Sequence, residues 1–294
     1  MGNTPLLRLH RVTRGLAPGV EVLAKAEWFN PGGSVKDRPA LNIIRRALED
    51  GQLSPDRRLL DSTSGNMGIA YATLGAALGI RVSLAVPGSA SPERLRILSL
   101  FAADLHLTDP LEGSDGAIRH ARQMADERPE EYFYANQYGN PANPEAHYQT
   151  TGPEIFSQTD SAVTHFVAGL GTTGTLMGTG RYLREINPSV EIIAFQPATP
   201  FHGLEGLKHM STSIQPGIYE PDFADRTLEI GTEDAHEMTR RLAREEGLFV
   251  GVSSGAAALA ALQVAGGLDR GTVVTVFPDS GYKYLSEKFW RGPD

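Results

Sequence analysis

Three short segments share a device suited to holding an anion: a strand-forming run, a turn of glycine and hydroxyl residues, then a helical pattern. They are Ser62-Thr63-Ser64-Gly65-Asn66-Met67-Gly68, Gly169-Leu170-Gly171-Thr172-Thr173-Gly174-Thr175 and Gly251-Val252-Ser253-Ser254-Gly255. Glycine permits a tight turn and close approach of backbone to a ligand, and a helix N-terminus offers free N–H groups and partial positive charge. One such turn says little. Three, gathered at the carboxyl ends of parallel strands, suit a single anionic ligand held from several sides. A fourth segment, Asn30-Pro31-Gly32-Gly33-Ser34-Val35-Lys36-Asp37-Arg38-Pro39, places Lys36 just inside an expected helix start. There its charge opposes the helix dipole. A positive local field would lower its pKa and raise the free-amine fraction, as Schiff-base chemistry requires. A solvated surface lysine is the ordinary alternative.

The middle turn also fits G-x-G-x-x-G through Gly169, Gly171 and Gly174, which raises a nicotinamide dinucleotide as ligand. That fingerprint needs an acidic residue at the end of the next strand to hold the ribose hydroxyls. Here that strand ends in Gln196-Pro197. With hydroxyls at Thr172, Thr173 and Thr175, the turn reads better as a cup for a phosphate monoester. A phosphate cup, an amine suited to a Schiff base and an Asn-bearing turn together point to pyridoxal phosphate.

The elements that must position these residues alternate along the chain. Strands are expected at Val20–Ala26, Arg58–Asp61, Arg81–Val86, Asp104–Leu107, Tyr132–Ala135, Thr164–Ala168, Val190–Gln196, Thr227–Ile230 and Thr272–Phe277. Helices are expected at Pro39–Glu49, Asn66–Leu78, Ser91–Phe101, Ser114–Asp126, Gly174–Ile186, Thr232–Glu245 and Gly255–Val264. Each helix is long enough to cross over a sheet, so βαβ units with parallel strands follow and the class is α/β. Thr164–Ala168 and Thr272–Phe277 are apolar with little alternation, as strands covered on both faces are. Helix 232–245 has Thr232 as expected N-cap, Glu233 and Asp234 in its first turn and Gly247 past its end. Tyr138–Pro144 (YGNPANP) is the best boundary between domains. Pro197–Pro221 has little regular pattern, and loops of that length in compact domains commonly carry function.

Composition narrows the classes further. The 294 residues carry 35 acidic and 27 basic side chains, a net charge of −8, and no Lys/Arg block, which argues against a nucleic-acid groove. Cysteine is absent, removing disulfides, thiolate nucleophiles, Cys-zinc sites and iron–sulfur clusters, and fitting a reducing, cytoplasmic setting. The longest apolar stretch, Gly68–Ile80, is shorter than the ~20 residues that span a bilayer, and the N-terminus shows no secretion signal, so no membrane role is expected. The eight histidines show no HExxH or paired spacing; His202 and His209, seven apart on a loop, are the nearest to a metal pair, and no metal is expected.

Over essentially the whole chain the sequence resembles the cysteine synthases (O-acetylserine sulfhydrylases), a family of fold-type II pyridoxal-phosphate enzymes. The resemblance rests on Gly2-Asn3-Thr4-Pro5-Leu6, Asn30-Pro31 with Ser34-Val35-Lys36-Asp37-Arg38, and Thr63-Ser64-Gly65-Asn66. It continues through Gln137-Tyr138-Gly139-Asn140-Pro141-Ala142-Asn143, Thr151-Gly152-Pro153-Glu154, Gly171-Thr172-Thr173-Gly174-Thr175, Gly251-Val252-Ser253-Ser254-Gly255 and Tyr284-Leu285-Ser286. Thr164–Arg181 is most similar to the B-type and O-phosphoserine-using members.

The resemblance implies a tryptophan synthase β-like fold of two domains, each a mostly parallel sheet flanked by helices. Residues 32–141 would form a smaller mobile domain, and 1–31 with 142–294 a larger one that binds the cofactor phosphate. It implies that Lys36 forms the Schiff base and moves the α-proton, that Asn66 bonds the ring hydroxyl, that Gly171, Thr172, Thr173, Gly174 and Thr175 hold the phosphate, and that Ser253 faces the pyridine nitrogen. A serine there cannot keep the nitrogen protonated as a carboxylate would, leaving a weaker electron sink suited to β-elimination of a good leaving group. Thr63, Ser64, Gly65, Met67 and Gln137 would line the substrate α-carboxylate site. The implied reaction is β-replacement on O-acetyl- or O-phospho-L-serine by a sulfur nucleophile, giving L-cysteine. A cystathionine β-synthase core, a serine/threonine dehydratase and a diaminopropionate-type synthase are the alternatives within the fold; a non-catalytic or dinucleotide-binding α/β protein lies outside it. The implied partners are the amino-acid substrate, a sulfur donor and a second copy of the chain, with serine acetyltransferase or a sulfur-carrier protein as further candidates.

Two positions depart from or refine the pattern. Met67 stands where the family carries Thr, so it either reshapes the carboxylate contact or packs inward while backbone donors suffice. Lys208, in Gly206-Leu207-Lys208-His209-Met210, falls near an arginine of the phosphoserine-using members; it is either a cation for a dianionic leaving group or a solvated loop lysine. Asp279 and Ser280 either line the pocket edge or cap the final helix.

Overall fold

The computed structural model describes residues 1–63 and 65–291; the substrate-site role expected of Ser64 falls outside the described residues. In chain order the strands are β1 (Leu6–Arg8), β2 (Gly19–Ala26), β3 (Arg58–Ser62), β4 (Val82–Pro87), β5 (Asp104–Thr108), β6 (Tyr132–Tyr134), β7 (Val163–Gly169), β8 (Glu191–Pro197), β9 (Arg226–Ile230) and β10 (Arg270–Phe277). The helices are α1 (Asp37–Glu49), α2 (Asn66–Leu78), α3 (Pro92–Leu100), α4 (Gly113–Glu127), α5 (Ala142–Gln149), α6 (Thr151–Gln158), α7 (Gly174–Ile186), α8 (Thr232–Arg241) and α9 (Val252–Ala265).

Two sheets result. One has the order β1-β2-β10-β7-β8-β9, the other β5-β4-β3-β6. Every pairing is parallel except β1 with β2, at one edge. The inner strands are buried on both faces: β4 throughout, and β10 from Thr272 onward. That is why their sequences run apolar without alternation. Each sheet has a core on either face. Around the six-stranded sheet, one core gathers α8 and α9 with Val22, Val273 and Phe277, and the other gathers α7 and α6 with Phe166, Ile192 and Val274. The four-stranded sheet packs Leu59, Leu84 and Phe133 against α1 and α2, and Leu60, Ala85 and Tyr132 against α4. Among the described residues no helix is long and apolar enough to cross a membrane.

Several elements differ from the sequence expectation. The N-cap of α8 is Gly231, in extended backbone, and Thr232 is the first helical residue. Its hydroxyl instead accepts the Gly203 N–H at 3.1 Å, tying the 197–221 loop to the helix. Regular α-helix ends at Arg241, and Leu242–Glu246 continues as a wider turn before Gly247, at φ 70°, closes it. Helix α9 begins at Val252, so the serines expected in a turn form the first helical turn behind Gly251. Helices α5 and α6 were not legible because Pro144 and Pro153 resemble breakers. Each is the third residue of its helix, where a backbone N–H has no intrahelical partner in any case. The 197–221 loop carries no helix or strand between β8 and β9.

Candidate active site

The carboxyl ends of β3, β7 and β8 face one cleft of about 1010 Å³, walled by residues of both sheets. Lys36, Thr63, Asn66, Met67, Gln137, Gly171, Thr172, Thr173, Thr175, Lys208 and Ser253 line it. These residues span more than two hundred positions, and the parallel topology is what gathers them.

On one wall the chain leaves β7 and turns into α7. Thr173, the N-cap, sits at φ 72°, an uncommon backbone for a threonine, and its buried Oγ1 has no hydrogen-bond partner. The first N–H groups of α7 lack intrahelical acceptors. Gly171 is required by close approach: a Cβ there would lie 2.2 Å from the Gly206 carbonyl oxygen. Asn143 braces the turn, donating to Thr172 Oγ1 at 3.2 Å and to the Gln137 carbonyl at 2.8 Å. His147, buried, holds Thr151 Oγ1 at 2.9 Å and meets Thr175 Oγ1 at 3.3 Å. Burial drives its pKa well down, with Arg38 and Lys36 adding, so it is a neutral imidazole. Gly174, the first helical residue, is pressed against Asn143 rather than exposed to the cleft.

Lys36 is the N-cap of α1. Its loop is pinned from behind by the bridge between Ser34 and Asp279 and by the Val35 N–H on the Pro278 carbonyl at 2.8 Å. Its pKa is lowered, as the sequence suggests, but for another reason. Burial lowers it, while the nearby charges, the Asp279 and Glu27 carboxylates, push the other way. Beneath the loop, Arg38 joins Glu27 and Glu154 at 2.8 and 2.7 Å, and Lys25 reaches Glu154 at 2.7 Å, so β2, α1 and α6 are locked by buried charge.

The opposite wall is the N-terminus of α2. Thr63 Oγ1 accepts the N–H groups of Gly65 and Gly68 at 3.0 and 3.1 Å, shaping the turn as well as facing the cleft. Gly65 lies under Arg94, whose Cδ would be 2.4 Å from a Cβ at that position. Met67 is 2% exposed and belongs to the core against α1 and β4, which favours the inward-packing reading. Gln137 is held by its Nε2 on the Ser62 carbonyl at 2.6 Å and its N–H on Asp61 Oδ2 at 3.1 Å. Asp61 also accepts from the Ser62 N–H and the Tyr71 hydroxyl, and burial raises its pKa to about 7. Asn66 sits between charges: its Nδ2 donates to Asp279 Oδ2 and its Oδ1 accepts from Lys283 Nζ, both at 2.8 Å. Asp279 is not part of the cleft lining but stands behind Asn66, and its Oδ2 also takes the Tyr284 hydroxyl at 2.8 Å, while Ser280 is the N-cap of the short helix Gly281–Tyr284.

The 197–221 loop crosses the mouth. Lys208 is 4% exposed and paired to Asp115 of α4 at 2.6 Å, which overturns the reading of a solvated loop lysine. Asp115 Oδ2 also takes the Ile214 N–H at 2.8 Å. Three residues before Lys208, Glu205 pairs with Arg94 of α3, which also stacks on the Tyr284 ring at 4.6 Å. Among the described residues no group of three or more His, Asp or Glu side chains is placed to hold a metal ion. Asp61, Arg94, Asp115, Glu205 and Lys283 carry no local motif and were missed.

A doubly sheeted α/β fold with a half-buried lysine that shares one cleft with a helix-capping threonine cup defines a class of cofactor enzyme, and the comparisons agree. The family model for pyridoxal-phosphate dependent enzymes matches residues 1–279. A cysteine synthase of Aquifex aeolicus is 51% identical over 100% of this chain and 91% of its own. Cysteine synthase B of Pseudomonas aeruginosa is 42% identical over 97% and 94%. The crystal structure of a cysteine synthase from Entamoeba histolytica superposes with a TM-score of 0.94 at 39% identity, covering 100% of this chain and 90% of that one. The chain belongs to the cysteine synthase family of pyridoxal-phosphate dependent enzymes.

The residues present fit that cofactor. The buried, unpartnered Thr173 hydroxyl is a donor in search of an anion, and beyond Gly174, whose N–H rests on Thr172 Oγ1 at 3.3 Å, the first N–H groups of α7 lack intrahelical acceptors. The amine of Lys36 shares their cleft.

Proposed function

We propose that this protein makes L-cysteine by β-replacement on an activated L-serine, O-acetyl- or O-phospho-L-serine, with a sulfur nucleophile. The observation that carries the reading is a single cleft in which the Lys36 amine, the threonine cup of α7 and the α2 turn face one another. Pyridoxal phosphate, when bound, supplies the electron sink for cleavage at the substrate α-carbon.

The chain's own residues do the rest. The N–H groups and hydroxyls of Gly171–Thr175 would hold the phosphate dianion of that cofactor, with charge-assisted bonds stronger than neutral ones. Burial keeps a fraction of Lys36 as free amine, able to bond an aldehyde carbon and to carry a proton at Nζ. Asn66 would direct an N–H at the cofactor's ring oxygen, and Ser253, 5% exposed in the first turn of α9, would serve as a neutral partner for its ring nitrogen. Thr63, Gly65 and Gln137 shape the α-carboxylate site. Residues 32–141 form the smaller domain, which closes over the substrate and excludes water. A second copy of the chain is the partner that the family membership implies.

Cysteine formation from O-acetyl-L-serine and sulfide tests the reading. Lys36→Ala should lower turnover about 10³-fold, the scale of a positioned acid–base group, with an unchanged circular dichroism spectrum. Full turnover in that variant overturns it.

A further inference from the structure

We infer that Lys283 is a positioning residue for the cofactor, setting the Asn66 amide and the Gly32–Gly33 turn so that an Asn66 N–H points into the cleft. The inference rests on the reading above and goes beyond it, since Lys283 is not among the residues that line the cleft and would act through Asn66 and the turn.

An ammonium has three N–H donors and no acceptor. Those of Lys283 meet three acceptors: Asn66 Oδ1 at 2.8 Å, the Gly33 carbonyl at 3.0 Å and the Gly32 carbonyl at 3.2 Å. The side chain is 6% exposed, so it is not a solvated lysine that happens to lie nearby. A primary amide is ambiguous in orientation, because its two ends are alike in shape but opposite in hydrogen bonding. A partner that can only donate removes the ambiguity: the oxygen must face Lys283, and the NH₂ must face away.

On that other side, Asp279 Oδ2, which can only accept when ionised, takes one Asn66 hydrogen at 2.8 Å. The second hydrogen is left for the cleft. The amide is thus drawn between a cation on its oxygen and an anion on its nitrogen, which polarises it and strengthens it as a donor. The same ammonium holds the two carbonyls that precede Ser34 and Lys36. One buried charge therefore sets both the ring-oxygen donor and the loop carrying the amine, from elements 217 positions apart. Burial lowers the pKa of this amine and Arg94 adds to that, while the Asp279 and Asp37 carboxylates push the other way and favour its charged form.

Titrating the apoprotein with pyridoxal phosphate, following both binding and the visible absorbance of the lysine-bound cofactor, tests this in a double-mutant cycle with Asn66→Ala. Lys283→Met should weaken cofactor binding about tenfold or more, the worth of a charge-assisted bond, and shift the visible band to shorter wavelength. Lys283→Arg should recover most of both. In the Asn66→Ala background Lys283→Met should cost at least threefold less, the remaining loss being the share carried by the Gly32–Gly33 turn. A wild-type spectrum and affinity in Lys283→Met overturns the inference, as does an equal loss in both backgrounds, which would make Lys283 a fold residue only. If Lys283→Met does not fold, Lys283→Gln, which cannot reach the turn carbonyls and Asn66 together, goes through the same cycle. Failure of the wild-type apoprotein to bind pyridoxal phosphate at all would instead sink the functional reading.

Discussion

At Asp61 three donors, the N–H groups of Ser62 and Gln137 and the Tyr71 hydroxyl, converge on one buried carboxylate. They favour the ionised form, yet burial outweighs them and the pKa stands at about 7. Asp37, also buried, is raised to about 6. A carboxyl whose folded pKa exceeds its unfolded value of about 3.9 binds more protons folded than unfolded. Its contribution to stability therefore falls as pH rises from about 4 to 7, by up to ~1.4 kcal/mol per pH unit. Glu154 runs the opposite way: burial raises it, but Arg38 and Lys25 prevail and hold it at about 2, so its contribution is lost only as pH falls toward that value. Urea denaturation of Asp61→Asn from pH 4 to 8 should show a flatter decline than wild type across pH 4–7; identical slopes would remove Asp61 as its source. At this scale the sequence shows Lys36 and the three turns plainly, because glycine and hydroxyl residues next to a strand are a local pattern. It shows nothing of Asp61 or Lys283, whose partners in the site, Gln137 and Asn66, lie 76 and 217 positions away.

At the scale of elements, the site is made by where helices begin. α1, α2, α7 and α9 all start at the cleft, with Lys36, Asn66, the threonine cup and Ser253 at their first positions or caps. Their starts were nearly all legible from strand-turn-helix succession, and the misses have physical reasons: serines sit comfortably in the first turn of α9, and prolines at the third position of α5 and α6. Close packing makes these starts intolerant. Gly171→Ala would set a methyl 2.2 Å from a backbone oxygen, and the α7 turn or the Gly206 loop must shift. We expect a stability loss of about 1–3 kcal/mol in the apoprotein by urea denaturation and a matching fall in cofactor affinity. Gly15→Ala, where a Cβ meets nothing within 4 Å, should leave both unchanged.

For the whole molecule, the two sheets and their parallel order follow from periodicity and crossover length, while the contacts that span the mouth do not. Arg94 with Glu205 and Asp115 with Lys208 join the four-stranded half to the 197–221 loop of the other. Nothing local pairs residues about a hundred positions apart. Lys208 has two possible uses, an anion site and a tie, and kinetics separate them. If it meets the leaving group, Lys208→Ala should lower kcat/KM for O-phospho-L-serine about tenfold more than for O-acetyl-L-serine, the difference a charged contact makes. Equal losses on both substrates would leave only the tie.

The two ties run in opposite senses: one half offers a cation at Arg94 and an anion at Asp115, and the loop answers with an anion and then a cation three residues on. Were the loop to slip by that interval in one direction, Lys208 would come against Arg94; in the other, Glu205 would come against Asp115. Either shift sets like charges together, so the alternation works as a register key that rejects misdocked arrangements as firmly as it rewards the right one.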